Sequence, residues 1–300
     1  MTHPRFNPVN RPAALLPAPG PRPVWFLLVI LLVFLSGCAA RRPGTLPVAE
    51  AERERVATAF AAMRAGWRQC GCCLDAEVDL RLVASPWFGE RLVAMSGYLQ
   101  TVSPHGARFV GVNPLGQPLV ILALAGERFF LVLPAEALFY EGGLGVAAVA
   151  RYLPLASLAG PQVEWLFGRL PEAGFEMRDI TREPESQGYW IELQWRESDY
   201  ASRVLFDPEA GLIRRHQVSR GDTLLVDLGF TEFRPADRAG AALAPGDLDP
   251  CPRPGRVSGF FRTHEINAEL VFNTMTTGVR FEPRTFVIEP PAGYERRQIK

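Results

Sequence analysis

Lysine is nearly absent: Lys300 is its one occurrence in 300 residues, and arginine carries the rest of the basic charge. Histidine is scarce as well, limited to His3, His105, His216 and His264. Chemistry that needs a positioned base has few candidates here, and the usual frames around such bases are missing. The chain has no Gly-x-Ser-x-Gly elbow and no glycine-rich phosphate loop, and His264-Glu265 lacks the second histidine of a zinc-protease helix. Glu183 and Glu185 flank Pro184 in a turn, where solvated carboxylates are commoner than an acid/base pair. These gaps point away from an enzyme, and they imply no cofactor. Acidic and basic residues balance at 32 each, which leaves no excess of positive charge for nucleic acid. No apolar run reaches the roughly 20 residues of a spanning helix. The longest, residues 24–35, has 12.

That run is the most informative segment of the chain. Arg5, Arg11 and Arg22 precede it with no acidic residue, and Leu35-Ser36-Gly37-Cys38 ends it. A basic segment, a short apolar stretch and small residues make a signal peptide over residues 1–37. Small residues before a cysteine resemble the lipobox of bacterial lipoproteins, which implies that Cys38 is acylated and heads the mature chain. Two or more acyl chains hold a protein stably at a membrane, at about 0.8 kcal/mol per buried CH2. Ala39 stands where an aspartate would favour inner-membrane retention, so the resemblance implies the periplasmic face of the outer membrane. Residues 38–48, with Pro43 and Pro47, read as a lipidated tether, and the folded domain spans 49–300.

Without the leader, 263 residues remain, enough for one large domain, with 48% hydrophobic residues to fill a core. Cys70, Cys72, Cys73 and Cys251 are an even set in an oxidising compartment and read as disulfide candidates. Adjacent Cys72 and Cys73 would form a strained ring, so at least one of the first three should reach Cys251. That bridge would close a loop of about 180 residues. A thiolate metal or redox site on Cys70-Gly71-Cys72-Cys73 is the competing reading. It is disfavoured, because zinc sites usually show two separated pairs or a histidine partner.

Val56, Phe60, Met63 and Trp67 recur at helical spacing, with Glu50, Glu52 and Glu54 before them and Arg64 and Arg68 behind, as a helix dipole favours. From Glu77 the period changes to two. Strands are expected over residues 91–102, 108–113, 118–124, 128–133 and 138–141, separated by turn residues. Residues 146–153 and 161–167 read as helical. Strands resume after Gly174, at 189–195, 201–206, 212–219 and 224–233, and after a long loop at 257–262, 268–280 and 286–289. The expected fold is mainly β (α+β): a single unclosed antiparallel β-barrel of about 11–12 strands, with an N-terminal helix and a helical lid inserted mid-chain.

This order of elements is similar to the LolA/LolB family of periplasmic lipoprotein carriers. The matching pieces are Asn113-Pro114-Leu115-Gly116-Gln117-Pro118, the stretch Trp165-Leu166-Phe167-Gly168-Arg169-Leu170-Pro171, and Phe286-Val287-Ile288-Glu289-Pro290-Pro291-Ala292-Gly293. The resemblance implies a hydrophobic cavity that takes up acyl chains of lipoproteins or lipids, and a periplasmic carrier protein as a partner. Candidate lining residues are Leu80, Leu82, Val93, Met95, Phe109, Val112, Leu122 and Phe130, with Trp165 from the lid. Trp87 and Phe88, in Ser85-Pro86-Trp87-Phe88-Gly89, place two aromatics at a strand-to-strand tip, suited either to contact a membrane or to fold back on the barrel end. The alternative function is a scaffold lipoprotein of an outer-membrane assembly, its barrel filled by side chains.

Overall fold

Buried Leu74, Ala76, Val78 and Leu80 alternate with Asp75, Glu77, Asp79 and Arg81, so one face of this strand turns to the core and the other to water. The same period runs through the computed structural model, which describes residues 44–70, 73–84, 91–102, 106–143, 161–170, 174–196, 199–239, 249, 251–262 and 265–299. Sixteen strands form one unclosed, antiparallel-rich sheet. In chain order, β1 (Leu46–Pro47) precedes the helix α1 (Glu50–Gly66). A first meander follows: β2 (Leu74–Ala84), β3 (Arg91–Val102), β4 (Gly106–Val112), β5 (Pro118–Ala125), β6 (Arg128–Leu133) and β7 (Leu138–Gly143). A second comprises β8 (Phe175–Arg182), β9 (Tyr189–Trp195), β10 (Tyr200–Asp207), β11 (Leu212–Arg220) and β12 (Thr223–Thr231). Then come β13 (Asp237–Arg238), β14 (Arg256–Phe261), β15 (Ile266–Thr277) and β16 (Glu295–Ile299).

The strand order β1-β8-β9-β10-β11-β12-β14-β15-β2-β3-β4-β5-β6-β7-β16 makes β14 and β15 the seam between the two meanders. β15 lies antiparallel to β2 with Leu270 opposite Leu80, and its register shifts between Phe272 and Thr274. The extra residue, Asn273, donates through Nδ2 to Asp79, and its carbonyl accepts from Arg234 Nη2 at 3.0 Å. A bulge thus docks the long loop before β14 onto the seam.

α1 covers the inner face of the second meander. Val56 and Phe60 are fully buried, and the Phe60 ring meets Phe206 edge-on at 5.3 Å. Polar contacts hold the helix in place: Arg53 pairs with Asp179 at 3.0 Å, and the Tyr189 hydroxyl donates to Glu52 at 2.5 Å. Cys70, just past the helix, is bonded to Cys251 in the loop before β14. This settles which of the cysteine trio reaches Cys251; Cys72 lies outside the described residues.

Several expectations need correction. Among the described residues there are sixteen strands, against about 11–12 expected; β1 and β13, of two residues each, are too short to show alternation, and β8 and β16 add to the expected set. Leu46-Pro47, expected in the tether, pairs with β8. Residues 286–289 do not form the last strand. Phe286 closes a 3-10 turn and packs over Gly106, where a Cβ would lie 2.8 Å from its ring. The final strand is β16, parallel to β7, and Arg296 on it bonds the buried Glu141, which Arg128 also contacts at 3.2 Å. A buried carboxylate demands such cations, and this one recruits the C-terminal strand to cover the β7 edge. The mid-chain helical lid is not matched. Residues 146–153 lie outside the described residues, and Pro161–Phe167 is a 3-10 helix of 7 residues ended by Gly168 at φ +65°. A segment that short, starting at proline, is below the length at which an α-helix sustains itself.

The Cys70–Cys251 bond closes 181 residues. Cys70→Ser with Cys251→Ser is expected to cost about 5 kcal/mol of unfolding free energy through the freed unfolded chain. Denaturant titration of oxidised and doubly substituted protein measures this, and coincident midpoints would refute it.

Candidate functional site

Strands β5 and β12 are separated in the sheet by β14, β15, β2, β3 and β4. In a flat sheet they would stand about 29 Å apart at the usual spacing of strands. Yet Leu122 and Leu124 of β5 line the same cavity as Leu228 of β12, so the sheet curls around its inner face. The cavity measures about 70 Å³. Cross-strand pairs build its walls: Leu80 opposite Leu270, Leu99 opposite Phe109, Phe109 opposite Leu122, and Gly259 between Leu228 and Ala268. Leu166, from the 3-10 segment, also borders it.

Small residues leave the space open. Ala107, Ala268 and Gly259 occupy inward positions where their neighbours are leucine, valine or phenylalanine. At Gly259 a Cβ would come 2.8 Å from Leu228, so the strand can approach its neighbour only without a side chain. The lining side chains are all hydrocarbon. A cavity of this size has room for water but offers it no hydrogen bond, so it stays dry, and an empty dry void costs about 2 kcal/mol at roughly 24 cal/mol per Å3.

Of the residues expected to line such a space, Leu80, Phe109 and Leu122 do. Leu82 and Met95 share their face and pack beside them in the main core. Val93 is on that face too, opposite Leu82, but is 45% exposed near the strand end. Three expectations are overturned. Val112 pairs with Ser96, whose hydroxyl donates to Asp79 at 2.6 Å, so it belongs to the outer face. Phe130 pairs with Ala123 and packs with Val132 and Phe139 in a separate cluster, against Ile288 and Tyr294. Trp165 is turned away from the cavity, its ring 4.9 Å from His216 and 6.1 Å from Trp195, while its neighbour Leu166 takes the lining position. Leu99, Leu124, Leu228, Val257, Phe261 and Leu270 were legible as strand residues but not as neighbours. Cys38, Trp87, Phe88 and His264 lie outside the described residues.

The second meander is lined by large aromatic side chains. Phe60, Phe206, Phe230 and Trp165 fill its inner face around His216. The His216 ring is 1% exposed; its Nε2 lies 3.0 Å from Ser202 Oγ, which also accepts from Trp195 Nε1 at 2.9 Å. Burial drives its pKa down from 6.5 to about 3, with Asp227 opposing weakly. A neutral imidazole sealed from solvent serves packing and not proton transfer.

No protein-family model and no curated protein matches the sequence. Solved structures do. A DUF1329 family protein from Desulfovibrio piger is 12% identical over 76% of this chain and 96% of its own, with a TM-score of 0.51. A proposed outer membrane lipoprotein-sorting protein domain from Vibrio parahaemolyticus is 15% identical over 77% of this chain and 94% of its own, at 0.50. A LolA superfamily protein from Nitrosomonas europaea is 12% identical, covers 77% of this chain and 97% of its own, and reaches 0.47. At these identities the first two establish a shared fold, and the site rests on its own geometry.

His216 gives the fold an acid sensitivity. The unfolded chain binds a proton below about pH 6.5 whereas the folded one resists down to about 3, so stability is complete above pH 6.5 and falls as pH drops through that window. The loss should approach 1.4 kcal/mol per pH unit. His216→Gln, measured by denaturant titration at pH 7, 5.5 and 4.5, should flatten the slope by about one proton, and an unchanged slope would contradict the assignment.

Proposed function

We propose that this chain is a lipid-anchored receiver of acyl chains, held at the periplasmic face of the outer membrane by an acylated Cys38, with its half-barrel cavity beside the seam as the acyl site. One observation carries the reading: a wholly hydrocarbon space kept open by Ala107, Ala268 and Gly259 on the inner face of the curled sheet. A methylene moved from water into such a space gains about 0.8 kcal/mol, and a chain entering it also removes the cost of the void. The cavity is small as it stands, so a long chain enters by displacing the segment that carries Leu166. That segment is a 3-10 helix, joined to the sheet by no strand ladder, and its displacement breaks no sheet hydrogen bond.

The likeness of fold to a proposed outer membrane lipoprotein-sorting protein domain supports acylated cargo, with a periplasmic carrier handing it over. The reading assigns no catalytic step. The second reading, a scaffold lipoprotein, draws on the solid filling of the second meander by Phe60, Phe206 and Phe230.

Ala268→Leu separates the two. Filling the void should raise unfolding free energy by about 1 kcal/mol while weakening a fluorescent fatty-acid probe at least tenfold. A scaffold would gain the stability and show no probe binding in either form. Metabolic labelling with an alkynyl palmitate should mark the native chain and not Cys38→Ala; label on both would remove the anchor from the proposal.

A further inference from the structure

The outer face of the sheet carries a groove of its own at the seam. Its volume is about 580 Å³, within the roughly 300–1,000 Å³ of small-ligand sites. Its polar lining residues alternate along the strands with the inward Leu80, Leu228, Val257 and Leu270, which sets it on the side away from the acyl cavity. Strand register builds the floor. Arg215, Gly229, Ser258, Glu269 and Arg81 are paired directly from β11 through β12, β14 and β15 to β2, a row about 19 Å long at the usual strand spacing. Gly229 and Ser258 keep the centre of the row low, and long side chains raise its ends. At Gly229 a Cβ would lie 3.0 Å from Ser258 Oγ, so a side chain there would fill the trough. Asp227, Phe260 and Asn267, paired in the next row, form one wall. Gly259 and Ala268 border both this groove and the acyl cavity, so a single layer of backbone divides the two.

The lining holds donors and acceptors in balance. Arg215 donates to both carboxylate oxygens of Asp227, at 2.7 and 2.5 Å, and Glu269 pairs with Arg256. Arg81, directly opposite Glu269, has no ion pair among the described residues, and the Ser258 and Asn267 side chains have no hydrogen bond there. Two arginines and two carboxylates line the groove, so it exerts no net pull on a polyanion. An acyl chain would cover these polar groups without satisfying them. A hydroxyl both donates and accepts, and so meets guanidinium, carboxylate, amide and hydroxyl alike. The half-buried Phe260 ring adds an apolar surface for the C–H face of a pyranose. We propose that this groove binds a neutral oligosaccharide, laid across the strands over Gly229 and Ser258 and against Phe260. The site is independent of the acyl-chain reading.

Calorimetry on the full-length protein compares maltohexaose, cellohexaose and N-acetylchitohexaose with a sulfated heparin hexasaccharide and a glycine-serine hexapeptide. At least one neutral sugar should bind with a Kd below about 1 mM, and about tenfold or more tightly than the sulfated sugar or the peptide. Gly229→Val fills the trough with a residue that suits a strand, and Phe260→Ala removes the wall. Each should weaken the sugar about tenfold while leaving the melting temperature and the binding of a fluorescent fatty acid unchanged. Arg81→Ala alters an exposed side chain with no ion pair to lose, so it keeps the fold and should weaken the sugar about threefold even if the other two variants melt lower. Failure of all three neutral sugars to bind at millimolar concentration overturns the proposal. So does a preference for the sulfated sugar or the peptide, or an affinity that Arg81→Ala leaves unchanged. Because the fatty-acid probe reports the opposite face, either site can fail without the other.

Discussion

The ladder between β15 and β2 is the constraint on which the rest of the structure depends. It joins two meanders that are each built from local hairpins, and with β14 it turns them into one sheet. Its register decides everything inside, since a slip of one residue would send Leu80 and Leu82 to water and Asp79 and Arg81 to the core. The Asn273 bulge secures that register from outside. Asp79 holds the Asn273 side chain while Arg234 holds its carbonyl, and a shifted strand would lose both. The cost is kinetic: the partners lie almost 200 residues apart, as Glu77 and Thr274 do at 197, and such pairings form late.

Curvature follows from the seam, and the division of labour inside the sheet follows from curvature. The second meander receives the helix and is filled by aromatics, with His216 neutral among them. The first meets β14 and β15 across small residues and stays open. Stability is drawn from one half while the other tolerates a void. Functional sites commonly carry such local costs, which the remaining fold offsets.

Legibility in the sequence tracked how many faces of a strand are buried. β2 has one wet face, so Leu80 and Leu82 were placed correctly from alternation alone. β5 and β6 are covered on both sides: Ala123, Phe129, Phe130, Leu131 and Val132 are all buried, and a run without alternation gives no clue to which residues look inward. Phe130 was assigned to the wrong face for that reason. Val112 was misassigned against the alternation itself: it stands three residues after the inward Phe109, and a period of two turns it outward with its partner Ser96. Trp165 was wrong by one position, because a 3-10 turn points successive side chains about 120° apart and the sequence does not say which one meets the sheet.

The sequence by itself determined the strand-rich class, the amphipathic helix over Glu50–Gly66, and the alternation of β2, because each is written in local period and composition. Only the tertiary structure decided that β15 returns to β2, that Cys70 is the cysteine bonded to Cys251, and that Gly259 and Ala268 leave a space. Those are meetings between residues far apart in the chain, and no local pattern encodes them. They arise from how a curled sheet closes over the apolar face it has to bury.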